Sequence, residues 1–157
     1  MGKYKLLVLD VDGTLTDGKV YLTETGDEMK AFNIKDGYGI KHLLPRLGMQ
    51  AAIITGRKSE IVARRAKELD IALVYQGITD KQECLRQLLE NCHISWNEVV
   101  YIGDDVNDIS CMKKSAFACC PKDAHVKVKE ICDWQGTYNG GEGVVRELID
   151  YLEELGE

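Results

Sequence analysis

Short apolar runs separated by helix-like segments are the feature that most restricts how this chain folds. Four runs are short enough to be strands and apolar enough to be buried on both faces. They are Leu6–Leu9, Gln50–Ile54, Ile71–Tyr75 and Val99–Ile102. The segments between them place apolar residues at helical spacing, and strands that alternate with helices are typical of a parallel sheet covered by helices. The sequence therefore predicts a doubly wound, Rossmann-like α/β fold, whose ligands bind beyond the carboxyl ends of the strands.

Length and composition favour one domain over residues 1–157. A chain of 157 residues that is 45% hydrophobic suits a single core. The net charge of −6 argues against nucleic acid or an anionic membrane as a partner. No apolar run reaches the length of a membrane span, and the first residues lack the apolar stretch of a signal peptide. The six cysteines include no Cys-x-x-Cys pair, so we expect free thiols and a cytoplasmic protein.

Capping residues mark several predicted helix ends. Asp36 and Gly37 open a helix that Gly48 ends. Ser59 and Asp80 are the predicted N-caps of the two helices that follow. These caps all fall in the segments between predicted strands, which supports the alternating pattern.

Residues 19–33 form a predicted β-hairpin instead of a helix. Val20 and Leu22 alternate with polar residues before a Thr-Gly-Asp turn, and Met29 and Phe32 follow it. A two-stranded hairpin is barely stable alone in water, and exposed apolar residues mark interfaces. We therefore expect this hairpin to pack against copies of itself in a homo-oligomer.

Carboxylates follow two of the predicted strands. Asp10 and Asp12 come after the first strand, and Asp104, Asp105 and Asp108 come after the fourth. Acids this close together at the end of a buried strand repel each other, and desolvation disfavours their charged forms. Asp and Gly also favour turns, so Asp-Val-Asp-Gly alone suits a simple turn equally well. Taken together, the acids predict a Mg²⁺ site built from oxygen ligands.

Phosphate-binding groups follow the other two strands. Thr55 and Gly56 offer a hydroxyl and an amide donor after the second strand, and Lys81 opens the helix after the third. A hydroxyl, an amide and a point charge suit a phosphate group. An aspartate can also act as the nucleophile and form an aspartyl-phosphate. The combination predicts metal-assisted phosphoryl transfer.

These strand-end motifs resemble the haloacid dehalogenase superfamily of phosphatases, and the resemblance covers essentially the whole chain. The motifs occur in the order Asp10-x-Asp12-Gly13-Thr14, Thr55-Gly56, Lys81 and Gly103-Asp104-Asp105-x-x-Asp108. Each motif alone has an ordinary structural explanation, whereas their joint occurrence at strand ends is specific.

The resemblance implies a role for each residue. Asp10 attacks phosphorus, and Asp12 protonates the leaving alcohol and then activates water. Asp10, the main-chain carbonyl of Asp12 and Asp104 hold Mg²⁺, while Asp105 and Asp108 orient the metal shell. The residues that bind the transferring phosphoryl group are Thr55, Gly56 and Lys81.

The spacings leave no room for a separate cap domain. Only 38 residues separate Thr16 from Thr55, and the predicted hairpin and one helix use them. Only 21 residues separate Lys81 from Gly103, and one helix fills them. Aspartyl-phosphate chemistry benefits from excluding water. We therefore expect a neighbouring subunit to cover the site.

This capless arrangement is similar to the subfamily that dephosphorylates 3-deoxy-D-manno-octulosonate 8-phosphate in lipopolysaccharide sugar synthesis. The stretches that carry this resemblance include Lys35–Ile40, Tyr75–Gly77 and Gly140–Glu147. It implies a Mg²⁺-dependent phosphatase of a sugar-acid phosphate that assembles as a homotetramer through its hairpins. Its glycine-rich segment, residues 140–143, is expected to reach a neighbouring site as a mobile cover, with Arg146 behind it.

The substrate has two candidate classes. The resemblance favours the eight-carbon sugar acid at one position, because a nine-carbon branch tends to carry Glu after Thr-Gly, where this chain has Arg57. The planar guanidinium of Arg57 also suits the carboxylate of a 2-keto acid. A phosphatase of nine-carbon sialic-type 9-phosphates, such as those of N-acylneuraminate or KDN, is an alternative. A catalytically silent oligomerisation domain is the alternative from another class, although the complete acid set argues against it.

Overall fold

The computed structural model of the protein describes residues 2–156 and contains a six-stranded parallel sheet and a separate hairpin. The strands are β1 (Leu6–Leu9), β2 (Tyr21–Leu22), β3 (Glu28–Met29), β4 (Gln50–Ile54), β5 (Leu73–Tyr75), β6 (Val99–Ile102), β7 (Phe117–Cys120) and β8 (Trp134–Gln135). The order across the sheet is β5-β4-β1-β6-β7-β8. The predicted doubly wound α/β fold is therefore confirmed, with β1 at the centre of the sheet.

Helices cover both faces of this sheet. They are α1 (Ile34–Tyr38), α2 (Glu60–Glu68), α3 (Lys81–Cys92), α4 (Ile109–Met112), α5 (Val126–Lys129) and α6 (Val144–Glu154). α1 continues into a wider π-helical turn at Gly39–Leu43 and then a tighter 3₁₀ turn at Leu44–Leu47. Shorter 3₁₀ turns cover Trp96–Glu98 and Val106–Asp108. No helix within residues 2–156 combines the length and the apolar character that crossing a bilayer requires.

The alternating side chains of β1 supply both cores. Leu7 and Leu9 enter a cluster with Leu148 of α6, whereas Leu6 and Val8 enter a second cluster on the opposite face, beneath α3. All four strand residues have no solvent exposure. The end of β1 is therefore anchored from both sides, and the loop that follows it starts from a rigid support.

The predicted helix caps are confirmed with one exception. Ser59 and Asp80 accept hydrogen bonds from first-turn amides, and Gly48 adopts the left-handed conformation. The exception is Asp36, which was expected to open α1. Asn33 caps that helix instead, through a bond from the amide of Lys35. The Asp36 carboxylate accepts from the amide of Arg146 at 2.9 Å and so caps α6.

The β2–β3 hairpin is antiparallel, as predicted, and stands apart from the sheet. Its apolar side chains face solvent: Leu22 is 70% exposed, Met29 57% and Val20 47%. The rest of residues 17–54 forms the α1 segment and β4, so the described part of this stretch contains no cap domain. The hairpin is the only strand pair outside the main sheet among the residues that the structure describes.

The glycine-rich segment lies beneath the chain's own β1 loop. The amide of Gly141 donates to the carbonyl of Thr14 at 3.0 Å, and the amide of Gly140 donates to Asp123 Oδ1 at 2.9 Å. A Cβ atom at Gly140 would overlap the carbonyl of Gly13. Arg146 bonds Asp150 at 2.7 Å. These contacts hold the segment against its own chain, and its role as a cover for a neighbouring site stays a prediction.

Candidate active site

Two glycines allow the acids after β6 to lie close to Asp10 at the end of β1. Asp10 is 5% exposed, and the chain turns sharply at Gly13, where φ is +86°. A Cβ atom at Gly13 would overlap the Asp104 carboxylate, and one at Gly103 would overlap the Asp108 carboxylate. Glycine at both positions therefore lets the acids after β6 approach the acid at the end of β1.

Lys81 lies between two of these acids. Its Nζ donates to Asp10 Oδ1 and to Asp108 Oδ1, each at 2.8 Å, and the Lys81 side chain is 1% exposed. Burial lowers the pKa of Lys81, but the neighbouring carboxylates Asp10 and Asp108 outweigh it, so the pKa is raised. The lysine is therefore charged and offsets part of the repulsion between the acids.

Asp108 is held at both of its oxygens. Tyr101 donates its hydroxyl to Asp108 Oδ1 at 2.7 Å, and the amides of Asp104 and Asp105 donate to Oδ2 at 3.2 and 3.3 Å. Sequence reasoning missed Tyr101, although a tyrosine within the otherwise aliphatic run of β6 was a usable signal. A buried tyrosine hydroxyl needs a polar partner. The bonds to Asp108 tie the loop after β6 to Lys81.

Three acids form a group that can hold a metal ion. One carboxylate oxygen each from Asp10, Asp104 and Asp108 lies within 4.8 Å of the others. Burial first, and then the charge of Asp108, raises the pKa of Asp10 to about 6 despite Lys81. Burial first, and then the charge of Asp10, raises the pKa of Asp104 to about 9.

One buried oxygen of this group has no hydrogen-bond partner among residues 2–156. Asp104 Oδ1 is buried, and no hydrogen-bond partner is found for it within residues 2–156. An unpaired buried carboxylate oxygen is costly unless it is charged and coordinated. A hard cation such as Mg²⁺ binds oxygen ligands and would offset the repulsion between these carboxylates. Asp10, Asp104 and Asp108, with the unpaired oxygen of Asp104, therefore fit Mg²⁺.

Two predicted acids have their carboxylates elsewhere. Asp12 Oδ1 pairs with Nζ of Lys30 at 2.6 Å. Asp105 is exposed and accepts from the amide of Val106 at 2.7 Å, which caps the turn after it. The structure thus brings three of the five predicted acids together and places the other two on the loops around them.

The loop after β4 carries the predicted phosphate-binding residues. Thr55 is 2% exposed, and its main chain bonds both Tyr75 and Ile78, at 3.0 and 3.1 Å. Gly56 follows it beside the carbonyl of Ile78. Lys81 therefore shares the sheet edge with Thr55 and Gly56, as the sequence predicts, although its ammonium already bonds carboxylates.

Arg57 points outward and bonds the hairpin. Its side chain is 49% exposed, and NH2 lies 3.1 Å from Glu28 Oε1. Glu28 Oε1 also lies 3.0 Å from Nζ of Lys30. Sequence reasoning missed Lys30 and Glu28, because a charged pair on a hairpin is usually solvated and carries no chemical signal of its own.

Known proteins resemble this chain in sequence. A sequence model of the haloacid dehalogenase-like hydrolases matches residues 70–148. The 3-deoxy-D-manno-octulosonate 8-phosphate phosphatase of Escherichia coli strain K12 is 42% identical over 148 residues, which cover 94% of this chain and 78% of that protein. The protein of the same name from Yersinia pestis is 38% identical, with 94% and 79% of the two chains covered.

Solved structures resemble it equally in fold. The 3-deoxy-D-manno-octulosonate 8-phosphate phosphatase of Moraxella catarrhalis, in complex with magnesium ion, phosphate ion and KDO, has a TM-score of 0.93 and 37% identity, covering 97% of this chain and 87% of that chain. The cobalt-bound deoxy-D-mannose-octulosonate 8-phosphate phosphatase of Haemophilus influenzae has a TM-score of 0.91 and 32% identity, covering 97% and 88%.

Proposed function

Because the chain belongs to the haloacid dehalogenase-like hydrolases, we propose that it is a Mg²⁺-dependent phosphatase of 3-deoxy-D-manno-octulosonate 8-phosphate. The observation that carries the chemistry is the buried carboxylate of Asp10, held by Lys81 beside the acids Asp104 and Asp108. The names of the matched relatives support the eight-carbon sugar acid as the substrate.

Asp10 is the proposed nucleophile. A carboxylate oxygen of Asp10 bonds to phosphorus while the ester P–O bond breaks, and Asp12 gives its proton to the leaving sugar oxygen. The Asp12 carboxylate then takes a proton from water as the water oxygen attacks phosphorus. The bond between phosphorus and Asp10 breaks, which releases inorganic phosphate and restores both carboxyl groups.

Mg²⁺ and the phosphoryl group have separate proposed holders. Asp10, Asp104 and the main-chain carbonyl of Asp12 hold the ion, which when bound neutralises charge on the carboxylates and the phosphoryl oxygens. Asp108 keeps the loop after β6 and Lys81 in place, and Asp105 caps the same loop. The donors to the phosphoryl oxygens are Thr55, Gly56 and Lys81.

We propose further that residues 1–157 act as one phosphatase unit that is completed by other copies of the chain. The exposed apolar residues of the hairpin, together with Ile34, which is 85% exposed, support a homotetramer joined through this face. Six free thiols support a reducing compartment, and we propose the cytoplasm.

A substrate panel tests the proposed function. Purified protein with Mg²⁺ is given 3-deoxy-D-manno-octulosonate 8-phosphate, N-acylneuraminate 9-phosphate and a small aryl phosphate, and released phosphate is measured. We expect kcat/KM for the eight-carbon substrate to exceed that for the others by about tenfold or more, which a few polar contacts can supply. A preference for the nine-carbon ester would overturn the substrate, whereas no hydrolysis of any ester would overturn the phosphatase.

A further inference from the structure

Lys30 is a buried cation between two accessible carboxylates. Its side chain is 1% exposed, whereas the side chains of its partners Asp12 and Glu28 are 28% and 25% exposed. The Nζ–Oδ1 distance to Asp12 is 2.6 Å, and the Nζ–Oε1 distance to Glu28 is 3.0 Å. The hairpin therefore places its only enclosed ammonium group against the loop that carries Asp12.

This placement has an energetic cost that an ordinary surface lysine avoids. A lysine near a surface usually extends its ammonium into water. Enclosing the ammonium of Lys30 removes its hydration, and two carboxylates must offset that loss. Glu28 also bonds Arg57 at 3.1 Å, so ion pairs connect Asp12, the hairpin and the loop after β4. An enclosed, doubly paired ammonium holds its partner more firmly than an exposed pair does.

We propose that Lys30 is a positioning residue that holds the Asp12 carboxyl group for proton transfer. The contact uses Oδ1, which leaves Oδ2 to carry the proton to the leaving oxygen and to accept one from water afterwards. This inference rests on the proposed function, in which Asp12 is the proton donor. It also assigns the hairpin a part in the reaction besides assembly.

Proton donation matters most when the leaving group is poor. A sugar or alkyl alkoxide needs a proton as the P–O bond breaks, whereas a nitrophenolate leaves without one. General acid catalysis contributes about 10²–10⁴-fold where it is needed. A misplaced Asp12 therefore slows the first step, transfer of the phosphoryl group to Asp10, selectively for alkyl esters. The second step is the same for all esters, so kcat/KM, which reports on the first step, makes the comparison, and general damage to the site lowers kcat/KM for all esters alike.

The test compares Lys30→Met, Lys30→Gln and Lys30→Arg with the wild type. Lys67→Met is the matched control, because Lys67 is an exposed lysine on α2. Each protein is assayed with a series of alkyl and aryl phosphates of increasing leaving-group pKa. We expect Lys30→Met and Lys30→Gln to lower kcat/KM for alkyl esters by about 10²-fold and for p-nitrophenyl phosphate by less than about threefold. Lys30→Arg should recover most of the loss.

Turnover of the aryl ester shows that each variant is folded, so a failure to fold is recognised in the same assay. If Lys30→Met is unstable, Lys30→Gln supplies the comparison, because it keeps a shorter polar side chain. Equal losses for alkyl and aryl esters, or no loss for either, overturn the inference. Failure of the wild type to hydrolyse any ester overturns the proposed function instead.

Discussion

The acid cluster and the hairpin differ in burial: the cluster is enclosed and paired, whereas the apolar residues of the hairpin are exposed. The ion pair between Lys30 and Asp12 connects the two regions. In the acid cluster, the side chains of Lys81 and Asp108 are 1% and 0% exposed and are paired within one chain. In the hairpin, two-residue strands carry Leu22 at 70% exposure and Met29 at 57%. The charged groups of the acid cluster thus find their partners within one chain, whereas the hairpin leaves its apolar side chains exposed. Substitutions in the cluster are expected to affect the chemistry and the fold, whereas substitutions of the exposed apolar residues of the hairpin are expected to affect assembly.

Removing the proposed nucleophile, Asp10, gives the largest expected effect on the acid cluster. Asp10→Asn should lower kcat by about four orders of magnitude or more, because the amide cannot attack phosphorus. The fold should persist, since the amide oxygen still accepts from Lys81. Steady-state kinetics and thermal unfolding check both points, with Asp70→Asn as the control, because Asp70 is 73% exposed. Activity above about 1% of wild type would rule out the aspartyl-phosphate.

Lys81→Met tests whether the cluster depends on its internal cation. Two carboxylates then face each other without the ammonium, and breaking a buried pair costs about 3–5 kcal/mol. We expect a loss of that size in the free energy of unfolding of the metal-free protein, measured with denaturant. Added Mg²⁺ should recover part of the loss by supplying positive charge. A change below about 1 kcal/mol would mean that the cluster is not held together electrostatically.

Mg²⁺ and pH should act on the cluster together. The pKa values of Asp10 and Asp104 are raised to about 6 and about 9, so these carboxyls keep their protons to higher pH in the folded chain than in the unfolded chain. Protonation then favours the folded state, and this contribution is lost as pH rises through those values. Because Mg²⁺ needs ionised ligands, we expect it to raise Tm more at about pH 8.5 than at about pH 5.5.

Scanning calorimetry with and without chelator measures this difference. The shift at saturating Mg²⁺ corresponds to about 3 kcal/mol at one hundred times Kd. A Tm that responds equally to Mg²⁺ at both pH values would show that the ion binds elsewhere. Chelation should also abolish phosphate release.

Charge on the hairpin face should affect assembly and spare the fold. Replacing Val20 and Leu22 together by Asp should produce monomers or dimers, since charges cannot be buried unpaired against another copy. The free energy of unfolding of the chain itself should change by less than about 0.5 kcal/mol, because both residues are exposed. Light scattering and denaturant unfolding check the two parts. A wild type that is a fully active monomer at micromolar concentration would contradict the tetramer.

Arg57 offers the smallest and most selective effect. Arg57→Ala should raise KM for the ulosonate phosphate by about tenfold and leave KM for a small aryl phosphate nearly unchanged, because only the sugar acid has a carboxylate to bind. Steady-state kinetics on both esters measures the ratio. Equal effects on the two substrates would leave Arg57 as a partner of Glu28 only.

Features that depend on neighbouring residues could be predicted from the sequence, whereas contacts between distant residues could not. The bounds of Gln50–Ile54 and Val99–Ile102 match the prediction, because a buried strand is a local apolar run with clear ends. The acids at strand ends were found because parallel strands bring their carboxyl ends to one edge. The role of Asp36 was not found, since its carboxylate accepts from the amide of Arg146, which lies 110 residues later in the first turn of α6.

Contacts between side chains on different elements leave no repeating pattern in the sequence from which they could be predicted. Lys30 contacts Asp12 across an 18-residue separation that only the hairpin's placement decides. The hydroxyl of Tyr101 meets Asp108 because β6 and the turn after it bend towards each other. In each case a side chain reaches a group on another element, and pattern reasoning along the chain cannot specify that geometry.

The bond from Gly141 to Thr14 has a consequence for how the protein is made. The loop after β1 is synthesised well before the segment that supports it, because Gly141 follows Thr14 by 127 positions (141 − 14). At about 5–20 residues per second, the loop waits for several seconds without its support. A chain released at residue 138 should hydrolyse no phosphate ester, which a truncated gene product can test. The nascent chain is therefore expected to stay inert until residues 140–143 and α6 have been synthesised.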